Sequence, residues 1–352
     1  MTIIEAKQAI DKIISKARVH LYKPIQIAEI LHRDRIEKDI VLTNLETYRN
    51  VSKRWRDIIC NQFLGRSSTS SARYQDDVFN ENAIPPQVLA ILGEENRQKD
   101  GIVEAYIYNR FSERFTQMSS GLGYCTLHDK SNFQLAEFLE LFWQEAGLRR
   151  SIDKLYEIVV YSLFSALVEE LEMTVEVSMN PNKLPILKEF EDFAKRVINI
   201  QPNVTSFKTS AKIYRVGVTN AADRGLDMWA NFGLAIQIKH LSLSEELAQN
   251  IVSSVNADRI VIVCKKAEQN IILSLLNQIG WKSRIQSIVT ENDLNDWYEK
   301  ALRGKYGNEI GEKMLKILSN EIKVEFPVTE NTEFLKFYNR RGYNKLNDTF
   351  WT

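Results

Sequence analysis

Cysteine, histidine and charge of one sign are all in short supply in this chain, and each shortage removes a class of explanation. The three cysteines, Cys60, Cys125 and Cys264, lie far apart without CxxC pairing, so neither a disulfide framework nor a thiolate zinc site is indicated. Four scattered histidines add no ligand cluster. Long apolar runs are missing too. The most apolar stretch, Ile158–Leu163, is far shorter than the ~20 residues a bilayer span requires. The opening MTIIEAKQAIDK has no signal-peptide core. A cytoplasmic protein without a membrane partner is expected. Lys plus Arg and Asp plus Glu are each 46, so global charge selects no partner.

What is present is an ordinary globular composition, 44% hydrophobic and 26% charged over 352 residues, enough for two domains or one large one. The charges are segregated. Residues 1–75 carry 14 Lys/Arg against 8 Asp/Glu, with clusters at Arg33/Arg35 and at Lys53, Arg54 and Arg56. The loop GRSSTSSARYQDD sets five consecutive Ser/Thr between Arg66 and Arg73. Hydroxyls flanked by arginines suit phosphate oxygens, although a linker would use the same letters. Lys53, Arg56, Arg66, Ser68, Ser70 and Arg73 are the candidate DNA contacts, chosen on basic context. A solvated helix face remains the plain alternative.

Periodicity predicts a mostly helical region over residues 1–147. Ile3, Ala6, Ile10, Ile13 and Ile14 share a helical face, as do Ile27, Ile30 and Leu31 after Pro24. Thr43 or Asn44 could cap a long helix carrying Leu45, Tyr48, Ser52, Trp55 and Ile59. Residues 24–60 permit a helix-turn-helix reading that many helical domains would share. A helical stretch over 84–120 should end at Gly121/Gly123. From Ser151 the pattern becomes helix, strands at MTVEVSM and KIYRVGVT, a hairpin, then helix, strand, helix, strand. That order predicts an α/β (α+β) domain over 148–292, a mixed central sheet flanked by helices. A helical C-terminal extension over 293–352 ends in the basic, aromatic FLKFYNRRGYNK.

The hairpin GLDMWANFGLAIQIKH, residues 225–240, carries the chemistry. Strand alternation turns Leu234, Ile236 and Ile238 one way and Ala235, Gln237 and Lys239 the other. A turn at Ala230–Gly233 brings Asp227 to the level of Gln237. An acid, an amide oxygen and an amine then converge on one patch. Asp227 is a hard ligand for Mg²⁺, and Gln237 a weaker neutral one. A metal there would activate water and polarise a phosphate oxygen, and Lys239 could stabilise the added negative charge. One carboxylate is sparse for a divalent ion. Glu157, set among Ile158, Val159 and Val160, could supply a second, or could lie on an exposed helix surface. A solvated sheet face remains open on the hairpin alone.

At GLD, QIK and the YEIVVYSLF helix the chain resembles the PD-(D/E)xK nuclease superfamily over roughly residues 151–290. The resemblance implies a catalytic site of Asp227, Gln237, Lys239 and Glu157, in which Asp227, Gln237 and Glu157 hold the metal. Leu226 stands where proline names the motif, and Gln237 replaces the usual acid. With RVHLYKPIQIAEIL, LETYRNVSKRWRD and the serine loop included, the chain resembles the HaeII-type group of type II restriction endonucleases nearly end to end. That implies a Mg²⁺-dependent homodimer cutting double-stranded DNA at a short GC-rich palindrome of RGCGCY type, with a cognate methyltransferase acting on the same site. Two alternatives stay open: a catalytically inactive DNA-binding protein on a degenerate nuclease fold, and a protein-interaction scaffold.

Overall fold

The computed structural model describes the chain except for residues 18–19, 66, 69–76, 145–150, 217–225, 256, 268–283, 327–330 and 352. Contacts divide it into two units, with segment 217–225 outside the described residues. One comprises Met1–Leu155 and Ser319–Thr352, the other Tyr156–Gly217 and Ala222–Leu318. The second division, at Leu318/Ser319, falls within the region expected as a helical extension over 293–352.

The first unit is helical: α1 Ile3–Lys16, α2 Tyr22–Ile36, α3 Val51–Leu64, α4 Pro86–Gln98, α5 Ile102–Leu127 and α6 Leu135–Gln144. Thr2 caps α1 in a capping box with Glu5, and the predicted face buries Ala6, Ile10 and Ile14. Helix α2 is buried on nearly every side, from Pro24 through Leu31. The helix-turn-helix reading fails. Asn44 caps only a short 3₁₀ turn, and the connection from Ile36 to Val51 is far longer than the three or four residues of that motif.

Gly121 and Gly123 do not end a helix, since α5 runs through both to Leu127. The break falls earlier, at Gly101, whose φ of 99° only glycine adopts freely. Gly121 serves close packing instead: a Cβ there would lie 2.5 Å from the Phe142 ring. The C-terminal aromatics complete this core. Phe63, Tyr108, Phe334, Phe337 and Tyr343 are buried in one cluster, and Arg341 pairs with buried Glu29 at 2.6 Å. The tail's aromatics and Arg341 thus belong to the core, while Lys336, Arg340 and Lys345 are exposed.

The second unit holds α7 Ile152–Glu170 from Tyr156 onward and a five-stranded sheet of order β3-β4-β5-β6-β7. Its strands are β3 Ile213–Arg215, β4 Met228–Ala230, β5 Leu234–Ser242, β6 Arg259–Lys266 and β7 Ile285–Thr290. The first two pairings are antiparallel and the last two parallel, the mixed sheet expected. MTVEVSM forms β1, Thr174–Ser178, but pairs with β2, Ser206–Ser210, in a separate ribbon. Its valines are at most half-buried, so no helix layer draws them into the main sheet. The helix expected over 184–198 begins at Leu184–Glu189, here α8, and finishes in shorter turns.

Helix α9, Glu245–Ser254, is capped by Ser244 and packs Ala248 and Ile251 on Ala235, Ile260, Ile262 and Cys264. Helix α10, Glu291–Arg303, follows β7 through a Thr290/Asp293 capping box. Its Tyr298 hydroxyl donates to the Val159 carbonyl of α7 at 2.8 Å. Helices α11, Gly307–Glu325, and α12, Asn331–Arg340, complete the chain. The helix expected over 267–280 falls almost wholly outside the described residues.

Candidate active site

The β4–β5 hairpin sets the site. Gly233, at φ 85°, allows the turn to close with its N–H donating to the Ala230 carbonyl at 3.0 Å. The register pairs Ala230 with Leu234 and Met228 with Ile236, so one further step puts Asp227 opposite Gln237. Arg259 of β6 donates to the Phe232 carbonyl and pins the turn.

Asp227 links three strands. Its carbonyl accepts from the Val216 N–H, just past β3, at 2.9 Å. Its Oδ2 accepts from Gln237 Nε2 at 2.5 Å and from the Ile238 backbone N–H at 2.7 Å. A side chain thus occupies the place where another ladder bond would have formed. This geometry keeps the carboxylate fixed before any ligand arrives.

Gln237 is only 2% exposed, which rules out a solvated sheet face at this position. Its Nε2 donates to Asp227, and its buried Oε1 has no hydrogen-bond partner among the described residues. Leaving a buried acceptor unpaired costs about 1–3 kcal/mol, so such an atom calls for a bound water, an ion or a functional role. Lys239 follows two residues on, half-buried, and the β5–β6 register becomes irregular just beyond it. Irregularities of this kind re-aim side chains beside active sites.

Glu157 is buried, but its neighbour is one that the sequence did not single out. Arg215, at the end of β3, lies 3.9 Å from it, and both side chains are 7% exposed. Alternation puts Arg215 on the face of Met228 and Ile236, and Asp227 with Gln237 on the other. The structure therefore joins Asp227 to Gln237 and Glu157 to Arg215. Among the described residues no group of three or more His, Cys, Asp or Glu is placed to hold a metal. The signal of Gln237 in the sequence is its i, i+2 spacing from Lys239.

The candidate DNA contacts fare unevenly. Arg56 is a correction: it is 1% exposed, its guanidinium donating to Asp57 at 2.7 Å and to Gln26 at 3.2 Å. It carries helix packing, not a phosphate. Arg33 and Arg35 are likewise engaged, with Asp39 and Glu104. Lys53 and Ser68 are half-buried. Arg66, Ser70 and Arg73 lie outside the described residues. Burial pushes the Cys125 thiol up to about 12 and the Cys264 thiol up to about 11, so neither is a thiolate nucleophile. No helix among the described residues is long and apolar enough to cross a membrane.

The fold is a helix-flanked mixed sheet, with Asp227 and Gln237 joined across one hairpin. The HaeII restriction endonuclease family model matches residues 6–343, and the chain belongs to that family. It is 62% identical over 343 residues to the type II restriction enzyme HaeII of Haemophilus aegyptius, covering 97% of each chain. It is 63% identical over 341 residues to the type II restriction enzyme NgoBI of Neisseria gonorrhoeae, again covering 97% of each. No solved structure matches. The chain is an enzyme of the type II restriction class.

Proposed function

We propose that this chain hydrolyses phosphodiester bonds of double-stranded DNA at a palindrome of RGCGCY type, as a Mg²⁺-dependent homodimer of PD-(D/E)xK kind. The observation that carries the reading is the orphaned Oε1 of Gln237 beside the fixed carboxylate of Asp227. Both are hard oxygen donors of the sort Mg²⁺ takes. When bound, the cation supplies an activated water and a Lewis acid for the scissile phosphate.

The chain's own residues do the rest. Asp227 is held by Gln237 Nε2 and the Ile238 N–H, so its carboxylate is preorganised. Lys239 places an ammonium on the same strand face, where it stabilises negative charge gathering on the phosphate oxygens. Glu157 is read as the partner of Arg215, and its earlier role as a metal ligand becomes the rival that a substitution tests. Each described chain carries one Asp227/Gln237/Lys239 set, and a two-fold-symmetric site needs two. Lys53, Ser68 and the segment from Arg66 to Arg73 are the proposed backbone grip, and a cognate methyltransferase protects the host's own copies of the site. The enzyme then works in the cytoplasm, where the DNA is.

Digestion of a plasmid of known sequence, with mapping of the ends, tests this. Fragments bounded by RGCGCY, formed with Mg²⁺ and absent in EDTA, are expected. Ends at another sequence would sink the specificity, and undiminished cutting in EDTA would sink the metal site.

A further inference from the structure

Tyr214 and Trp229 face each other directly across β3 and β4. Their rings stack with centroids 4.4 Å apart and planes 20° from parallel. Large aromatics on a sheet normally go inward, yet these remain 38% and 43% exposed. Trp229 is two residues from Asp227 on one strand, so alternation gives them the same face. Two strand residues span about 7 Å, roughly two nucleotides' rise along a duplex.

Exposed Lys212 extends the strip at the other end. Its N–H donates to Asn231 Oδ1 at 2.9 Å, and its carbonyl accepts from the Asn231 N–H at 3.2 Å. Asn231 also donates through Nδ2 to the Ser210 carbonyl at 2.9 Å. The turn residue thus clamps the backbone that carries the lysine, and pairing continues one step beyond Tyr214. Lys212, then two stacked rings, then Asp227 with Gln237 and Lys239 make a row of cation, aromatic surface, reaction centre and cation. A polyanion with flat apolar rings between its phosphates has the complementary pattern.

We propose that Tyr214, Trp229 and Lys212 form a second substrate contact, in which the ring pair packs on a sugar or base flanking the scissile phosphate and Lys212 meets a neighbouring phosphate. The inference rests on the nuclease reading above and adds the residues that hold the strand beside the bond to be cut. β3 is an edge strand, so a second copy of the chain is the rival occupant.

The test uses the full-length protein and a duplex carrying RGCGCY, with Ca²⁺ in place of Mg²⁺, binding being followed by anisotropy. Trp229→Ala and Tyr214→Ala should each weaken binding about tenfold, and Trp229→Phe should recover most of it. Lys212→Ala should flatten the dependence of log affinity on log salt by about one unit per chain. The tryptophan fluorescence change on DNA binding should shrink in Trp229→Phe. Wild-type affinity and salt slope in all variants overturn the proposal. So does a loss of affinity that only tracks conversion of dimer to monomer in sedimentation, which would assign the pair to contact between copies. Should Trp229→Ala or Tyr214→Ala fail to fold, the salt slope of Lys212→Ala and the fluorescence of Trp229→Phe still decide. Plasmid cleavage by the wild type is read alongside, so failure of the nuclease reading is seen separately.

Discussion

Gln237 gives its amide N–H to Asp227 across the hairpin at 2.5 Å and keeps its own carbonyl buried without a partner among the described residues. A glutamate at this position could not do the first, because two carboxylates at hydrogen-bond distance repel unless one holds a proton or a cation lies between them. The neutral residue therefore lets the site fold before metal arrives.

Gln237→Glu should consequently be less stable than the parent at pH 7.5 in EDTA, by about 1–3 kcal/mol. The new carboxyl's folded pKa would lie above its unfolded value. The penalty is then absent below the unfolded pKa and grows as pH rises through the folded one. Acid or millimolar Mg²⁺ should restore the melting temperature. Equal melting temperatures in EDTA across the pH range would contradict the close pairing.

Asp227→Ala removes the charged oxygen and the acceptor for both the Gln237 amide and the Ile238 N–H. Cleavage should fall on the order of 10³-fold, while duplex binding in Ca²⁺-free buffer persists. Single-turnover cleavage and anisotropy on the same preparation separate the two. A variant that cuts at the parent's rate would end the assignment of this hairpin as the active site.

For Glu157 the expectation is structural. Breaking a buried ion pair by removing one partner costs about 3–5 kcal/mol, so Glu157→Ala should unfold at markedly lower urea. Replacing Glu157 and Arg215 together by apolar residues should recover much of that. Glu157→Gln, once folded, should keep its Mg²⁺ dependence. A rise in the Mg²⁺ needed for half-maximal cleavage would instead make Glu157 a ligand.

Gly121 offers a packing test. Its missing Cβ makes room for the Phe142 ring, 2.5 Å from where that atom would lie. Gly121→Ala should lower stability by about 1–3 kcal/mol despite alanine's better helix propensity. Pairing it with Phe142→Leu should relieve the cost, and a stabilised single variant would show that the ring moves aside freely.

The hairpin was legible because strand alternation is a rule of covalent geometry, so Asp227, Gln237 and Lys239 could be assigned to one face from spacing alone. The partners of long side chains were not legible in that way. Arg56 looked like a surface cation, but only tertiary packing shows that Gln26 and Asp57 enclose it. Arg215 hid in KIYRVGVT because nothing local distinguishes a buried strand arginine from an exposed one. The breaker reading of Gly121 failed because glycine's low helix propensity is a fraction of the energy of placing an aromatic ring, and the ring decided.

Among the described residues, Glu104 in the helical unit sits in a dense electrostatic network. It is fully buried, with Arg35 donating to both its oxygens at 2.9 and 3.0 Å. His32 lies at 2.9 Å and Asn96 Nδ2 at 2.7 Å. Burial by itself drives this carboxyl's pKa upward, but the hydrogen bonds and charges of His32 and Arg35 prevail and hold it down at about 2. The folded value is below the unfolded one, so the stabilisation is complete above roughly pH 4.5 and is lost as pH falls toward 2. On the order of 3 kcal/mol is at stake. Glu104→Gln should therefore be much less stable than the parent at neutral pH, with the gap closing through that acid window. Urea midpoints measured for both proteins between pH 7 and pH 3 check this, and a gap independent of pH would mean that shape, not charge, holds the network.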